Sequence, residues 1–229
     1  MEIHGLQKMT LLDYPGKVAC TVFLGGCNFR CPFCHNGELL DGTFPPLMDE
    51  AELIVFLKKR QGLLDGVCIT GGEPLLRKEL PKLLRQIKEL GFAVKLDTNG
   101  TRPEALHGLM EDGLLDYVAM DIKNSRKRYG ETVGVENFDI SPVVESINIL
   151  RKGKVPFEFR TTVVRELHSV LSIEGIGQLI KGAKRHYIQA FIDSGELIGF
   201  DLTAVPKDEM KTMRDVMLRY VSECEIRGI

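Results

Sequence analysis

Three cysteines in one short stretch are the residues of this sequence best suited to bind a metal. Cys27, Cys31 and Cys34 are separated by three and then two residues, so one loop can bring their sulfurs together. A four-iron iron–sulfur cube takes four thiolates, and three would leave one iron open. Structural zinc also takes four ligands, and the nearest fourth candidate, His35, is awkwardly placed because it adjoins Cys34. The spacing therefore leaves an iron–sulfur site and a zinc site open.

Further polar residues stand where apolar segments end. In Gly71-Gly72-Glu73-Pro74 two glycines leave the backbone bare, so a ligand's ammonium group could approach main-chain oxygens, although the same glycines could only turn the chain into a helix. The other polar residues at such ends are Asp97, Thr98, Asn99, Asp121 and Lys123, and Arg160 lies within a further strand-like segment. Acids and bases together suit an amino-acid zwitterion. From the pattern alone, the alternative is structural: Lys123 could pair with a nearby acid or lie in solvent, and Arg160 could form a structural ion pair.

The segments between these groups alternate between strand and helix patterns. Apolar spacing and terminal signals predict helices at 49–61, 80–90, 103–113, 141–150, 172–184 and 206–223. Runs rich in β-branched and aromatic residues predict strands at 18–24, 67–70, 93–97, 117–122, 155–164 and 186–191. Residues 124–140 are polar and are predicted to form a loop.

This alternation predicts an α/β fold with a parallel sheet and right-handed crossovers. A partial (β/α)6 barrel of the TIM type, open along one side, and a doubly wound sheet both fit six such units. In either architecture the carboxyl ends of the strands share one side, so the polar groups should converge on one pocket. We expect one domain, 1–229, with an N-terminal extension over 1–17 and a C-terminal helix at about 206–223.

Composition narrows the class of protein. The chain has 229 residues, 44% of them hydrophobic, which is enough for one substantial core. A net charge of -2 argues against a dedicated nucleic-acid binder. No apolar run approaches the roughly 18 to 20 residues needed to cross a bilayer, and the start lacks the pattern of a signal peptide. We therefore expect a cytoplasmic protein whose six cysteines are reduced.

The cysteine loop resembles that of a known enzyme family. The stretch from Gly26 to Asn36, with Phe33 before the third cysteine and His35 after it, is similar to the cluster loop of radical S-adenosylmethionine (radical SAM) enzymes, in particular those that activate glycyl-radical proteins. The upstream Leu12-Asp13-Tyr14-Pro15-Gly16-Lys17 resembles the start of anaerobic ribonucleoside-triphosphate reductase activating proteins. The resemblance covers most of the chain and favours the partial barrel.

The resemblance implies an activity and its cofactors. A [4Fe–4S] cluster held by Cys27, Cys31 and Cys34 would reductively cleave S-adenosylmethionine, and the resulting 5′-deoxyadenosyl radical would take a hydrogen atom from a glycine of a partner enzyme. The partners implied are a glycyl-radical enzyme, of the anaerobic ribonucleotide reductase type, and a low-potential electron donor such as flavodoxin or ferredoxin. The residues implied to contact S-adenosylmethionine are Phe33, His35, Gly71, Gly72, Glu73, Asp97, Thr98, Asn99, Asp121, Lys123 and Arg160.

Two other functions remain open from the sequence. One is radical SAM chemistry on a small molecule, as in 7-carboxy-7-deazaguanine synthase, and the other is a zinc-stabilised binding module. The chain also departs from the reductase-activating branch at Ile192-Asp193, where that branch has Arg-Pro, and it lacks the histidine that pyruvate formate-lyase activators place nearby. The substrate side of the pocket is therefore where the resemblance is weakest.

Overall fold

An eight-stranded sheet forms the centre of the computed structural model, which describes residues 1–41, 43–193, 195 and 197–229. The strands, in spatial order, are β10 (Glu223–Arg227), β9 (Arg185–Ala190), β8 (Phe157–Val163), β7 (Tyr117–Asp121), β6 (Ala93–Thr98), β5 (Gly66–Gly71), β3 (Ala19–Leu24) and β2 (Gly5–Thr10). All neighbours are parallel except β2 and β3. The α/β fold and the six predicted strands are confirmed, and in the described part of the chain β2 and β10 are unpaired outer edges, so the sheet does not close.

Both edge strands were missed by the sequence prediction. Residues 1–17 contribute β2, which pairs antiparallel with β3, and a further strand, β1 (Glu2–Ile3), pairs with β4 (Met48–Asp49). The C-terminal helix ends at Met217 instead of about residue 223, and Cys224 lies in β10. An edge strand forms because its neighbouring strand satisfies its backbone hydrogen bonds, and this pairing is not visible in a single sequence.

Seven helices accompany the sheet in the described residues. They are α1 (Glu50–Lys58), α2 (Leu80–Glu89), α3 (Pro103–Glu111), α4 (Tyr129–Val133), α5 (Ser141–Lys152), α6 (Val170–Leu179) and α7 (Lys207–Met217). A capping box begins α1: the Asp49 side chain accepts from Glu52 N at 2.8 Å, and the Glu52 side chain accepts from Asp49 N at 2.9 Å. Helix α4 and a preceding 3-10 turn at Arg126–Arg128 lie where a loop was predicted. None of these helices is both long and apolar enough to cross a membrane.

The two faces of the sheet differ in chemistry because strand side chains alternate. One face is apolar and shares a core with the helices; its strand residues include Val22, Ile69, Leu96, Phe159 and Ile188. The opposite face, called the polar face below, carries Cys68, Lys95, Asp97, Asp121 and Arg160. Near the amino ends of the strands, the polar face is covered by Tyr14, which packs with Ala19 and Tyr117. Near the carboxyl ends, the polar face is left open for a ligand.

His186 supplies a pH prediction that is independent of the ligand site. Its buried ring has Nε2 3.0 Å from Thr161 Oγ1 and Nδ1 3.8 Å from Cys224 Sγ, and burial lowers its pKa from 6.5 to about 3. Between pH 6.5 and pH 3 this histidine binds a proton in the unfolded chain but not in the folded chain. The free energy of unfolding should therefore decrease as the pH is lowered through this range, by up to about 1.4 kcal/mol per pH unit. Chemical denaturation at pH 7 and pH 5 should show this slope, and His186→Gln should flatten it. An equal slope in both proteins would contradict the prediction.

Candidate active site

One cavity of about 440 Å³ opens at the carboxyl ends of the strands, where the sequence predicts a pocket. It is lined by every predicted site residue except Glu73: Cys27, Cys31, Phe33, Cys34, His35, Gly71, Gly72, Asp97, Thr98, Asn99, Asp121, Lys123 and Arg160. Residues that the prediction did not assign to the site also line it: Asp13, Phe29, Asn36, Leu40, Thr70, Thr162, Gln189 and Ala190. The fold therefore brings seven separate segments of the chain to one pocket.

The cysteine loop follows β3 and is fixed by its backbone. Gly26 N and Cys27 N donate to the carbonyls of Leu39 and Leu40, at 2.6 and 3.1 Å, and Arg30 N donates to Val133 O at 2.8 Å. These bonds tie both ends and the middle of the loop to the rest of the chain. The three cysteines are free thiols on the wall of the cavity.

Burial keeps the Cys27 and Cys31 thiols protonated when no positive partner is bound. It raises the pKa of Cys31 from 9.0 to about 12 and raises that of Cys27 as well, and the charge of Lys123 opposes the effect at both. A thiol ligates a metal only as thiolate, so binding at this loop must release protons. No group of three or more His, Cys, Asp or Glu side chains in the described residues is placed to hold a single metal ion.

The Gly71-Gly72 turn packs directly against the cysteine loop. A Cβ on Gly71 would lie 2.3 Å from Leu24 O, and one on Gly72 would lie 2.1 Å from Gly26 O. Gly71 also has φ of +114°, which L side chains rarely adopt. The glycines therefore make a turn and also permit contact between two loops. The Gly71 carbonyl accepts a hydrogen bond from Asn36 Nδ2 at 3.0 Å.

Glu73 lies behind the cavity wall instead of on it. Its side chain is fully buried, and its oxygens accept from Leu75 N at 3.0 Å, Thr98 Oγ1 at 2.8 Å and Asn99 N at 2.6 Å. Burial raises its pKa from 4.5 to about 7, although the three hydrogen bonds oppose the shift. In this structure Glu73 positions the Thr98-Asn99 segment, and its predicted contact with a cofactor stays a prediction.

Glu73→Gln should lower the free energy of unfolding by about 1–3 kcal/mol. Whichever way the new amide is turned, its NH2 group faces a backbone N–H, either that of Leu75 or that of Asn99, and one buried donor loses its partner. Denaturant titration would measure the loss. Glu104→Gln, at an exposed position in the first turn of α3, is the control and should change stability by only a few tenths of a kcal/mol. Equal effects in the two variants would contradict the role of Glu73.

A chain of alternating charges crosses the polar face at the cavity. Arg160 Nη1 donates to Asp97 Oδ2 at 3.1 Å, Arg160 Nε donates to Asp121 Oδ1 at 2.9 Å, and Lys123 Nζ donates to Asp121 Oδ2 at 3.0 Å. Arg160 reaches Asp97 across β7, where Ala119 stands beside Asp97 in register. Burial acts to raise the pKa of Asp121, but the neighbouring cations lower it from 3.8 to about 2. Both acids are therefore charged and already paired.

The pairing sharpens the sequence prediction. The zwitterion hypothesis placed Asp97 and Asp121 against a ligand's ammonium group, whereas here both carboxylates hold cations. Lys95, which the sequence analysis did not consider, also pairs with Asp97. A lysine between apolar residues of a strand was the available signal, because such a residue is buried only with a partner. Direct contact of the two acids with a cofactor stays a prediction.

His35 and Phe33 have different surroundings. Phe33 is buried, with its ring centroid 6.1 Å from that of His168. His35 is exposed, and its Nε2 lies 2.6 Å from the carbonyl of Ile192. The histidine after the third cysteine therefore contacts the segment after β9 at which the chain departs from the reductase-activating branch.

A comparison with known families decides the class of the protein. The profile of the radical SAM superfamily matches residues 21–169. This chain belongs to the radical SAM superfamily. Members of the superfamily use a [4Fe–4S] cluster and S-adenosylmethionine, which are therefore the cofactors of this enzyme, and the zinc-module alternative is wrong.

The residues of this radical SAM enzyme fit the two cofactors. The cavity wall supplies three cysteine thiols and, among the described residues, no fourth, which suits a cluster with one open iron. The bare Gly71-Gly72 turn and the cations Lys123 and Arg160 line the same cavity, so groups that can meet an ammonium and a carboxylate are both present.

Relatives of this radical SAM enzyme differ in how much of it they match. A protein of Methanocaldococcus jannaschii, provisionally named glycyl-radical enzyme activating enzyme, is 31% identical over 99% of this chain and 96% of its own length. A protein of Sulfolobus acidocaldarius, provisionally named GTP 3′,8-cyclase, is 30% identical over 87% of this chain but only 62% of its own. This chain thus spans less than two thirds of the cyclase.

Solved structures share the fold at low identity. SuiB of Streptococcus suis, in a crystal structure with S-adenosylmethionine bound, superposes with a TM-score of 0.69 over 91% of this chain and 52% of SuiB, at 12% identity. Such a likeness supports the mostly parallel α/β fold of this radical SAM enzyme and nothing finer.

Proposed function

We propose that this radical SAM enzyme, acting as a single domain of residues 1–229, generates a glycyl radical on a partner protein of the anaerobic ribonucleoside-triphosphate reductase type. The observation that carries the proposal is the match with the Methanocaldococcus protein over nearly the full length of both chains. The cyclase relatives instead extend well beyond this chain. The chain also has only three cysteines outside the loop, Cys20, Cys68 and Cys224, all buried, which leaves no set for a second cluster.

The proposal assigns Cys27, Cys31 and Cys34 as the cluster ligands. Asn99 Nδ2 lies 3.9 Å from Cys27 Sγ and 2.9 Å from Asn28 Oδ1, so it steadies the first ligand and the residue after it. Hydrogen bonds to ligand sulfurs tune the potential of such clusters. Asn99 is in turn fixed by Glu73, which gives that buried acid a role two contacts away from the Cys27 sulfur.

The remaining polar residues would hold S-adenosylmethionine. Lys123 and Arg160 present cations to its carboxylate, the carbonyls of the Gly71-Gly72 turn meet its ammonium, and Thr98 and His35 line the same space. Phe29 and Phe33 are almost fully buried and keep water from the cysteine wall. When both cofactors are bound, they supply a carbon-centred radical that can remove a hydrogen atom from a glycine Cα.

The test is electron paramagnetic resonance of the partner. Anaerobic incubation of the reconstituted enzyme with reductant, S-adenosylmethionine and the candidate glycyl-radical enzyme should produce the doublet of a glycyl radical. The control is the same partner with its radical-site glycine changed to alanine, which should give no doublet. Absence of the signal with the native partner, while S-adenosylmethionine is still cleaved, would remove that partner from consideration.

A small-molecule substrate is the second candidate, and the cyclase relatives favour it. In that case purified enzyme, reductant and S-adenosylmethionine should convert a nucleotide, such as GTP, or a 7-deazaguanine precursor without any protein partner. Product formation under those conditions would replace the activase proposal. A glycyl radical signal without any such product would support the activase proposal.

An external electron source is required by the same proposal, because the chemistry consumes one electron for each S-adenosylmethionine cleaved. We propose a low-potential protein donor such as flavodoxin or ferredoxin. The six cysteines are all free, in keeping with a reducing compartment, and we place the enzyme in the cytoplasm as part of this proposal.

A further inference from the structure

Lys95 is a fully buried lysine that the roles assigned above do not use. It lies in the middle of β6 with 1% of its surface exposed. Its ammonium forms an ion pair with Asp97 Oδ1 and lies 3.6 Å from Cys68 Sγ. Burying an ammonium is costly unless a fixed partner offsets the loss of water. The buried ammonium therefore needs a fixed partner, and that partner is Asp97.

Asp97 is held from two sides. Lys95 occupies its Oδ1, and Arg160 Nη1 donates to its Oδ2 at 3.1 Å. The cations Lys95 and Arg160 and the burial of the site have opposing effects on the carboxyl: burial acts to raise its pKa, and the cations bring it below its usual value. The carboxylate is thus a bridge between a cation inside the sheet and a cation at the cavity.

Position separates the roles of the two cations. Lys95 stands two residues before Asp97 on the strand, so it lies on the same face but further from the carboxyl end. Arg160 and Asp97 line the cavity, whereas Lys95 does not. A ligand in the cavity would therefore meet Arg160 directly and would sense Lys95 only through Asp97.

We propose that Lys95 is a positioning residue for S-adenosylmethionine: by occupying one oxygen of Asp97, it leaves the other to hold Arg160 extended across β7 towards the cavity. The inference rests on the proposed function, in which Arg160 binds the cofactor's carboxylate. Without Lys95, both oxygens of Asp97 are available to the guanidinium, and Arg160 moves towards Asp97 and away from the cavity. The charge of the chain formed by Lys95, Asp97, Arg160, Asp121 and Lys123 also falls from a net +1 to zero.

Lys95→Met tests the proposal, because methionine keeps much of the length and removes the charge. Calorimetric titration of S-adenosylmethionine into the anaerobic, cluster-loaded enzyme should show a Kd raised about tenfold or more. The change that S-adenosylmethionine causes in the electron paramagnetic resonance spectrum of the reduced cluster should require a correspondingly higher concentration. The control is Lys88→Met, which removes a lysine paired with Asp116 at 2.7 Å outside the cavity and should leave Kd within twofold. A Kd for Lys95→Met within twofold of the native value would overturn the proposal.

A double-mutant cycle distinguishes positioning from general damage. If Lys95 acts only through Asp97, the Lys95→Met/Asp97→Asn protein should bind S-adenosylmethionine as weakly as Asp97→Asn alone, whereas fully additive losses would overturn the proposal. The double variant removes both charges of the Lys95–Asp97 pair, so its affinity can be measured even where Lys95→Met alone does not fold. Arg160→Gln tests the premise: native affinity in that variant would refute the proposed binding site itself, whereas weak binding there with native affinity in Lys95→Met would refute only the role of Lys95.

Discussion

Cys31→Ser is expected to lose the iron–sulfur cluster and all cleavage of S-adenosylmethionine above background. Cys31 is the middle residue of the three-cysteine loop, is almost fully buried and lines the cavity. A serine hydroxyl is a poor replacement for a thiolate because iron–sulfur clusters are held by soft sulfur ligands. Iron analysis, the visible absorption of the anaerobically reconstituted protein and the release of methionine measure the loss.

The matched control for this variant is Cys20→Ala. Cys20 is also fully buried, but it lies on the apolar face among core residues. Its replacement removes packing and should cost about 1 kcal/mol of stability while leaving the iron content unchanged. Retention of a four-iron cluster by Cys31→Ser, or its loss from Cys20→Ala, would contradict the assignment of the loop cysteines.

Gly72→Ala is expected to disrupt the contact between the Gly71-Gly72 turn and the cysteine loop. The added Cβ would lie 2.1 Å from Gly26 O, 2.6 Å from Gly26 C and 3.3 Å from Cys27 N. These are backbone atoms of the cysteine loop, so the clash cannot be relieved by a rotamer change and must move the loop or the turn. We expect a loss of about 1–3 kcal/mol in the free energy of unfolding and incomplete loading of the cluster.

The same substitution at Gly108 is the control for Gly72→Ala. Gly108 lies within α3, and a Cβ there would meet no heavy atom within 4 Å. Alanine should stabilise that helix by about 0.5–1 kcal/mol and leave the iron content unchanged. Thermal unfolding together with iron analysis separates the two cases. A normal cluster content in Gly72→Ala would show that the two loops need not be in contact.

The sequence predicts the interior of this fold well and its edges poorly. The six central strands carry apolar residues at alternate positions, because the face of a strand that helices cover must be apolar. The edge strand Glu223–Arg227 alternates charged and apolar residues and follows a helix closely. Its strand structure comes from pairing with Arg185–Ala190, a contact between segments distant in the chain.

The sequence by itself determined the chemical inventory of this radical SAM enzyme: three cysteines at ligand spacing, a double glycine, and acids and bases at the strand ends. It could do so because a parallel sheet places the ends of its strands on one side. Only the tertiary structure decided how those groups pair. Glu73 points away from the cavity and binds Asn99. Asp97 is shared between Arg160 and Lys95, a strand residue to which the sequence analysis gave no role. Side-chain partners depend on distances between strands, which local sequence patterns do not encode.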